Sequence, residues 1–145
     1  MPQIIIKERL KESKLVNQYL YMNHPNSLQW RRIRLGPIPD KLLARMYMTM
    51  LRWADAIYVE GGVVTIVEAK LRPGPGAVGQ LLLYKDLFAQ TPEFTAYKNY
   101  PVKLMLLTPM VDLSVIEFCS KNDVLYEVFV PSGYDQLTGD WTPTT

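Results

Sequence analysis

Three side chains in the middle of the chain, Asp55, Glu68 and Lys70, are of the types that hold a divalent cation and activate a water beside it. Between Asp55 and Glu68 lies Gly61-Gly62, flanked by residues 54–60 and 63–71, two runs rich in β-formers. A diglycine between such runs is a strong hairpin signal. With a two-residue loop, Glu60 pairs with Val63 and every cross-strand pair keeps the same residue sum, which sets Asp55 opposite Glu68. Directly opposed Cβ atoms lie roughly 4.5–5.5 Å apart. Lys70 follows two residues after Glu68 and projects from the same face. A three-residue loop shifts this register but still leaves Glu68 and Lys70 sharing a face.

Two carboxylates about 5 Å apart repel by on the order of 3 kcal/mol at an effective dielectric of about 20. A sheet selected for stability alone places a Val–Thr or Val–Ile pair there. The arrangement becomes favourable when Mg2+ (or Mn2+) sits between the two acids, because these cations prefer hard oxygen ligands. Lys70 can then orient an attacking water and offset charge on a pentacovalent phosphate. Two plainer outcomes stay open: one carboxyl keeps its proton, or Lys70 forms a solvated ion pair.

These residues need a frame, and the rest of the chain supplies one. Residues 4–22 carry Ile5, Leu10, Leu15, Tyr19 and Met22 at roughly helical spacing, and His24-Pro25-Asn26-Ser27 breaks the pattern. Residues 28–35 read as an edge strand or a loop because of Arg31, Arg32 and Arg34. After Gly36-Pro37-Ile38-Pro39, Asp40 caps a short helix running to about Met50. The hairpin follows, then the Arg72-Pro73-Gly74-Pro75-Gly76 loop and a helix over 77–90. A strand is expected at 102–108, a helix at 112–120 and a last strand at 124–130, with an aperiodic tail from about 131 to 145. Both faces of the hairpin are apolar, Ile57, Val59, Val64 and Ile66 on one and Ala56, Tyr58, Val63 and Val67 on the other. A sheet buried on both sides requires helices on both, so the expected fold is a three-layer α/β sandwich forming one domain over residues 1–145.

Composition narrows the chemistry further. The single cysteine, Cys119, cannot build a disulfide, a zinc knuckle or an iron–sulfur cluster. The single histidine, His24, excludes His-rich metal sites, weakens any Ser-His-Asp reading and is expected on a surface turn. No apolar run approaches the roughly 20 residues of a membrane span, and no signal-peptide pattern is present. These features describe a soluble, intracellular protein: cytoplasmic, or associated with a virion if it comes from a phage. The net charge of +2 is too small to identify a nucleic-acid binder, so the placement of the charges matters more.

The ordered set of Asp55, the hairpin, Glu68-Ala69-Lys70 and then Gln80-Leu81-Leu82-Leu83-Tyr84 resembles the PD-(D/E)XK nuclease superfamily and its RecB-like branch. Ala54 stands where the motif's name has proline. The resemblance spans roughly residues 52–87. It implies a restriction-endonuclease-like mixed β-sheet and Mg2+-dependent hydrolysis of DNA phosphodiesters. It further implies metal ligation by Asp55, Glu68 and the Ala69 backbone carbonyl, with Lys70 acting on the water and Gln80 and Tyr84 positioning the strand or the lysine. Members often add an acid from the first helix, a part open to Glu8 or Glu12. The lack of a cysteine cluster separates the chain from the iron–sulfur-bearing relatives.

Candidate DNA contacts are Arg31, Arg32 and Arg34 beside Trp30, since Arg grips phosphate and Trp stacks on bases. The same cluster could anchor a protein partner. Arg72 on the Gly/Pro loop and Lys85 on the following helix are further candidates, whereas the Lys7, Lys11 and Lys14 stripe reads as a solvated face. So short a chain leaves no room for a specificity domain, and a homo-oligomer or larger assembly is expected to direct it. The competing function is a structural or assembly protein retaining this fold, for which Met46, Tyr47, Met48 and Met50 would suit an interface. DNA binding without cleavage is a third option.

Overall fold

Gly61 and Gly62 both adopt left-handed backbone, φ 59° and 77°, as a type I′ turn requires at its two central positions. That turn joins β2 (Arg52–Glu60) to β3 (Val63–Ala69) with Glu60 paired to Val63 and the ladder running on to Ala56 and Val67. The register is the one the two-residue loop dictates. The computed structural model describes residues 3–37 and 52–142, with side chains from residue 9 onward. The expected helix from Asp40 to Met50, with Met46, Tyr47 and Met48, lies outside the described residues.

Around the hairpin a five-stranded mixed sheet is built in the order β1-β2-β3-β4-β5, where β1 is Leu28–Leu35, β4 Val102–Thr108 and β5 Val124–Val128. β1, β2 and β3 are antiparallel neighbours, while β3, β4 and β5 run parallel. Parallel neighbours need crossovers. Helix α2 (Pro75–Phe88) lies on the connection from β3 to β4, and α3 (Leu113–Lys121) on that from β4 to β5. Asp112 caps α3 by accepting hydrogen bonds from the Ser114 and Val115 amides.

One face of the sheet, with Ile57, Val64, Ile66, Leu104 and Leu106, buries itself against Val78 and Leu81 of α2 and Val115 and Cys119 of α3. The opposite face, with Ala56, Tyr58, Val67, Met105 and Leu107, packs on Leu15, Val16, Tyr19 and Leu20 of α1 (Gln3–Asn23). These are the three layers expected from a hairpin apolar on both faces. Leu106 is fully buried on a central strand. Leu106→Ala is expected to cost about 2–5 kcal/mol of unfolding free energy, measurable by urea titration, because the space it leaves can only partly collapse.

Three details depart from expectation. A 3-10 segment, Pro92–Tyr97, carries Phe94 and Tyr97 onto Trp30, with ring centroids 5.1 and 5.8 Å away. His24 is no isolated surface residue: its ring stacks on Tyr58 at 4.5 Å and its Nδ1 lies 3.1 Å from Glu60. The tail is also structured. Trp141 is buried among the α1 contacts, its Nε1 donates to the Ser132 carbonyl at 2.8 Å, and its backbone bridges to Tyr134. A Cβ at Gly133 would come within 2.7 Å of the Thr142 carbonyl oxygen, so this turn admits only glycine. Among the described residues no helix is long and apolar enough to cross a membrane.

Candidate active site

Asp55 and Glu68 stand just past the last paired residues of the hairpin, Ala56 and Val67, where β2 and β3 begin to part. The Ala69 amide donates to Asp55 Oδ2 at 2.7 Å, which closes the gap and fixes that carboxylate. The Lys70 amide donates the other way, to the Leu107 carbonyl of β4. Since amide and carbonyl of one strand residue point together and alternate along the strand, the Ala69 carbonyl faces the Asp55 side. Glu68 is almost completely buried, and Tyr84 from α2 donates to its Oε2 at 2.8 Å. Helix, β3 and β2 are therefore joined through one pair of acids.

Burial, followed by the hydrogen bond and charge of the Asp55 carboxyl, pushes Glu68 from 4.5 up to about 9; the Tyr84 hydrogen bond and the positive Lys70 pull the other way. Without a cation, Glu68 thus keeps its proton at neutral pH. The Tyr84 hydroxyl is raised as well, first by burial and then by Glu68, so it serves as a donor. Tyr84→Phe removes the bond that favours ionised Glu68. It is expected to cost about 1–3 kcal/mol of stability in denaturant titrations, the penalty for a buried acceptor left without its donor.

The two acids, with Lys70, Gln80 and Tyr84, line a cleft of about 210 Å³ between α1 and α2. Helix α1 contributes Arg9, Glu12, Ser13 and Val16; β1 and β2 add Arg31, Arg32, Trp53 and Ala54. Of the two helix acids considered, Glu12 lies on the cleft, and the side chain of Glu8 is outside the described residues. Arg72 borders a neighbouring hollow shared with Lys70 and Gln80. Lys85 lines a different groove, with Val102 and Lys103. Arg34 is half-buried and sits opposite Trp53 in the β1–β2 ladder. Trp30, expected as a stacking surface, is occupied by its packing on Phe94 and Tyr97.

Sequence reasoning passed over Arg9, Ser13 and Trp53. Residues 9, 12, 13 and 16 follow the i, i+3, i+4, i+7 rule and form one stripe, a signal that the lysine stripe beside it obscured. Nothing local marked Trp53 as exposed, because β2 otherwise reads as a buried strand.

A divalent cation suits the pair. The Glu68 carboxyl is hydrogen-bonded to that of Asp55, and the Ala69 carbonyl faces the same side. Among the described residues no group of three or more His, Cys, Asp or Glu side chains is arranged for a metal. Two acids, one carbonyl and water form the sparse oxygen set that Mg2+ accepts.

No family model and no curated protein matches the sequence. Solved structures with this fold include a repair endonuclease from Pyrococcus abyssi, 16% identical, with a TM-score of 0.54 over 81% of this chain and 46% of that one. Another is an EndoMS–dsDNA complex, 15% identical, with a TM-score of 0.54 over 83% of this chain and 45% of that one. The chain spans less than half the length of either neighbour, and at these identities the likeness is one of fold.

Proposed function

We propose that the chain is a Mg2+- or Mn2+-dependent nuclease that hydrolyses DNA phosphodiester bonds, a RecB-like member of the PD-(D/E)XK superfamily. One observation carries the reading: a buried Glu68 is set against a half-buried Asp55 in a cleft edged by Lys70 and by arginines. A sheet selected for stability alone would place an apolar pair there. The two solved neighbours with this fold, a repair endonuclease and EndoMS in complex with dsDNA, add support.

Asp55, Glu68 and the Ala69 carbonyl would hold the cation, and Glu12 stands near enough to the cleft to assist through water. When bound, the cation supplies Lewis-acid polarisation of the phosphate and lowers the pKa of its water. The protein's own groups do the rest. The Ala69 amide keeps Asp55 aimed, and Tyr84 holds Glu68 in the rotamer that faces it. Lys70 donates to the attacking water and offsets charge growing on the phosphate oxygens. Gln80, on the same cleft wall as Tyr84, positions the strand or the Lys70 side chain. DNA is the partner, and further copies of the chain or a larger assembly direct it to its target.

The test is digestion of labelled linear, circular and branched DNA in Mn2+, beside Glu68→Ala and Lys70→Ala. Cleavage by the wild type that both variants lose is the expected result, and the product pattern separates end-directed from internal cutting. Folded protein that cuts no format of DNA would sink the proposal.

A further inference from the structure

The cleft has polar equipment that hydrolysis alone does not use. Arg31 is held in place by two neutral partners: its Nε donates to Asn17 Oδ1 at 2.7 Å and its Nη2 to Gln29 Oε1 at 2.9 Å. Amide oxygens orient a guanidinium without neutralising it, so the full positive charge stays on offer to an anion. Its neighbour Arg32 is stranger. It has φ 44°, left-handed backbone in the middle of a strand, and the β1–β2 ladder skips it between the Arg31–Ala56 and Ile33–Ala54 pairs. Such a conformation is unfavourable for a residue with a Cβ and is typical of sites where position matters more than stability. The skip falls across from Asp55, and both Arg31 and Arg32 emerge on the cleft, exposed, with Arg9 facing them from α1.

Trp53 is the other unusual residue. It lies two positions from Asp55, lines the same cleft and is 54% exposed. The other two tryptophans are engaged elsewhere, Trp30 against Phe94 and Tyr97 and Trp141 in the core. Trp53 therefore offers a large, rigid aromatic surface on the cleft. An exposed aromatic beside arginines that form no ion pair among the described residues is the combination that grips a nucleic-acid single strand, with the ring taking a base face and the guanidinium groups taking successive phosphates.

The acids lie at the floor between two helices. A duplex presents a base to a ring on the wall of such a cleft only by flipping it out of the stack, at a cost of a few kcal/mol, whereas a single strand does so without that cost. We infer that the cleft takes DNA as a single strand, with Trp53 as a base-stacking platform and Arg31 and Arg32 as a phosphate clamp leading to Asp55 and Glu68. This rests on the nuclease reading for its direction toward the acids, but the binding itself is separable from cleavage.

The same residue reports on the proposal, since Trp53 is the indole that solvent and ligand reach. Full-length protein in EDTA is titrated with a short mixed-sequence single-stranded oligodeoxynucleotide and, in parallel, with its blunt duplex. The single strand is expected to quench the tryptophan emission and the duplex to leave it nearly unchanged. By anisotropy, Trp53→Ala should weaken single-strand binding roughly tenfold, while Trp53→Phe keeps affinity within about twofold and loses the quench. Arg32→Gln should weaken binding and lower the salt dependence by about one counterion. Equal quenching by duplex and single strand, or unchanged affinity in Trp53→Ala, overturns the inference. Single-strand quenching with no cleavage in Mn2+ would instead sink the nuclease reading and leave this one standing.

Discussion

Glu68→Gln is expected to abolish cation-dependent cleavage and, in the same protein, to raise the stability of the metal-free fold. The two effects have one origin. A glutamine side chain cannot bring a negative oxygen to the cation, and losing one preorganised charge partner at a reacting phosphate lowers turnover by roughly 10²–10³-fold or more. Stability runs the other way because of the proton. Glu68 is raised from 4.5 to about 9 in the folded chain, chiefly by burial and then by Asp55. A raised carboxyl leaves the fold at no disadvantage below its unfolded value. Stability then declines as pH climbs from there, and the loss is complete above the folded value. The substituted amide never ionises and escapes this decline. Melting curves in EDTA should nearly coincide for variant and wild type at about pH 5, with the variant increasingly ahead by about pH 8. Parallel curves across that range would show that Glu68 holds no extra proton.

Lys70→Ala separates catalysis from cation binding. The side chain lies on the cleft and is only half-buried, so its truncation leaves the core untouched. Cleavage should fall by about 10²–10⁴-fold, the range for losing a group that handles the attacking water. Calorimetric titration with Mn2+ should still give a binding heat in Lys70→Ala and none in Glu68→Gln. Lys70→Arg is not expected to rescue, because a planar fork cannot place one donor where the compact lysine head sits. Loss of the Mn2+ heat in Lys70→Ala would make the lysine a support for the acids and remove it from the reaction.

How much of this could be read beforehand depended on whether a rule of local geometry applied. The hairpin register was legible because Gly61-Gly62 admits one common turn, and that turn sets the partners of every residue back to Ala56. The edge position of β1 followed from its arginines, and the two helical layers from a hairpin apolar on both sides. Gln80 and Tyr84 stood out only through their resemblance to the Gln-x-x-x-Tyr signature; both line the cleft. Arg32 was not, since no rule of spacing marks a left-handed residue inside a strand. Trp30 was misread as a stacking surface, and Trp53 passed over, for a related reason. Which indole is covered depends on Phe94 and Tyr97, more than sixty residues after Trp30 and brought to it by a 3-10 segment without periodicity. Trp141 is similar: one aromatic in an aperiodic tail gives no pattern, yet it is buried against α1.

That last contact also sets an order of events. Val16, an α1 residue of the same buried cluster as Trp141, forms part of the cleft wall. A ribosome, adding about 5–20 residues each second, delivers Asp55, Glu68 and Lys70 well before Trp141. The nascent chain therefore displays its acids for some seconds before the helix opposite them has its full seat. Under the proposed nuclease function, cleavage would wait until the chain has emerged as far as Trp141.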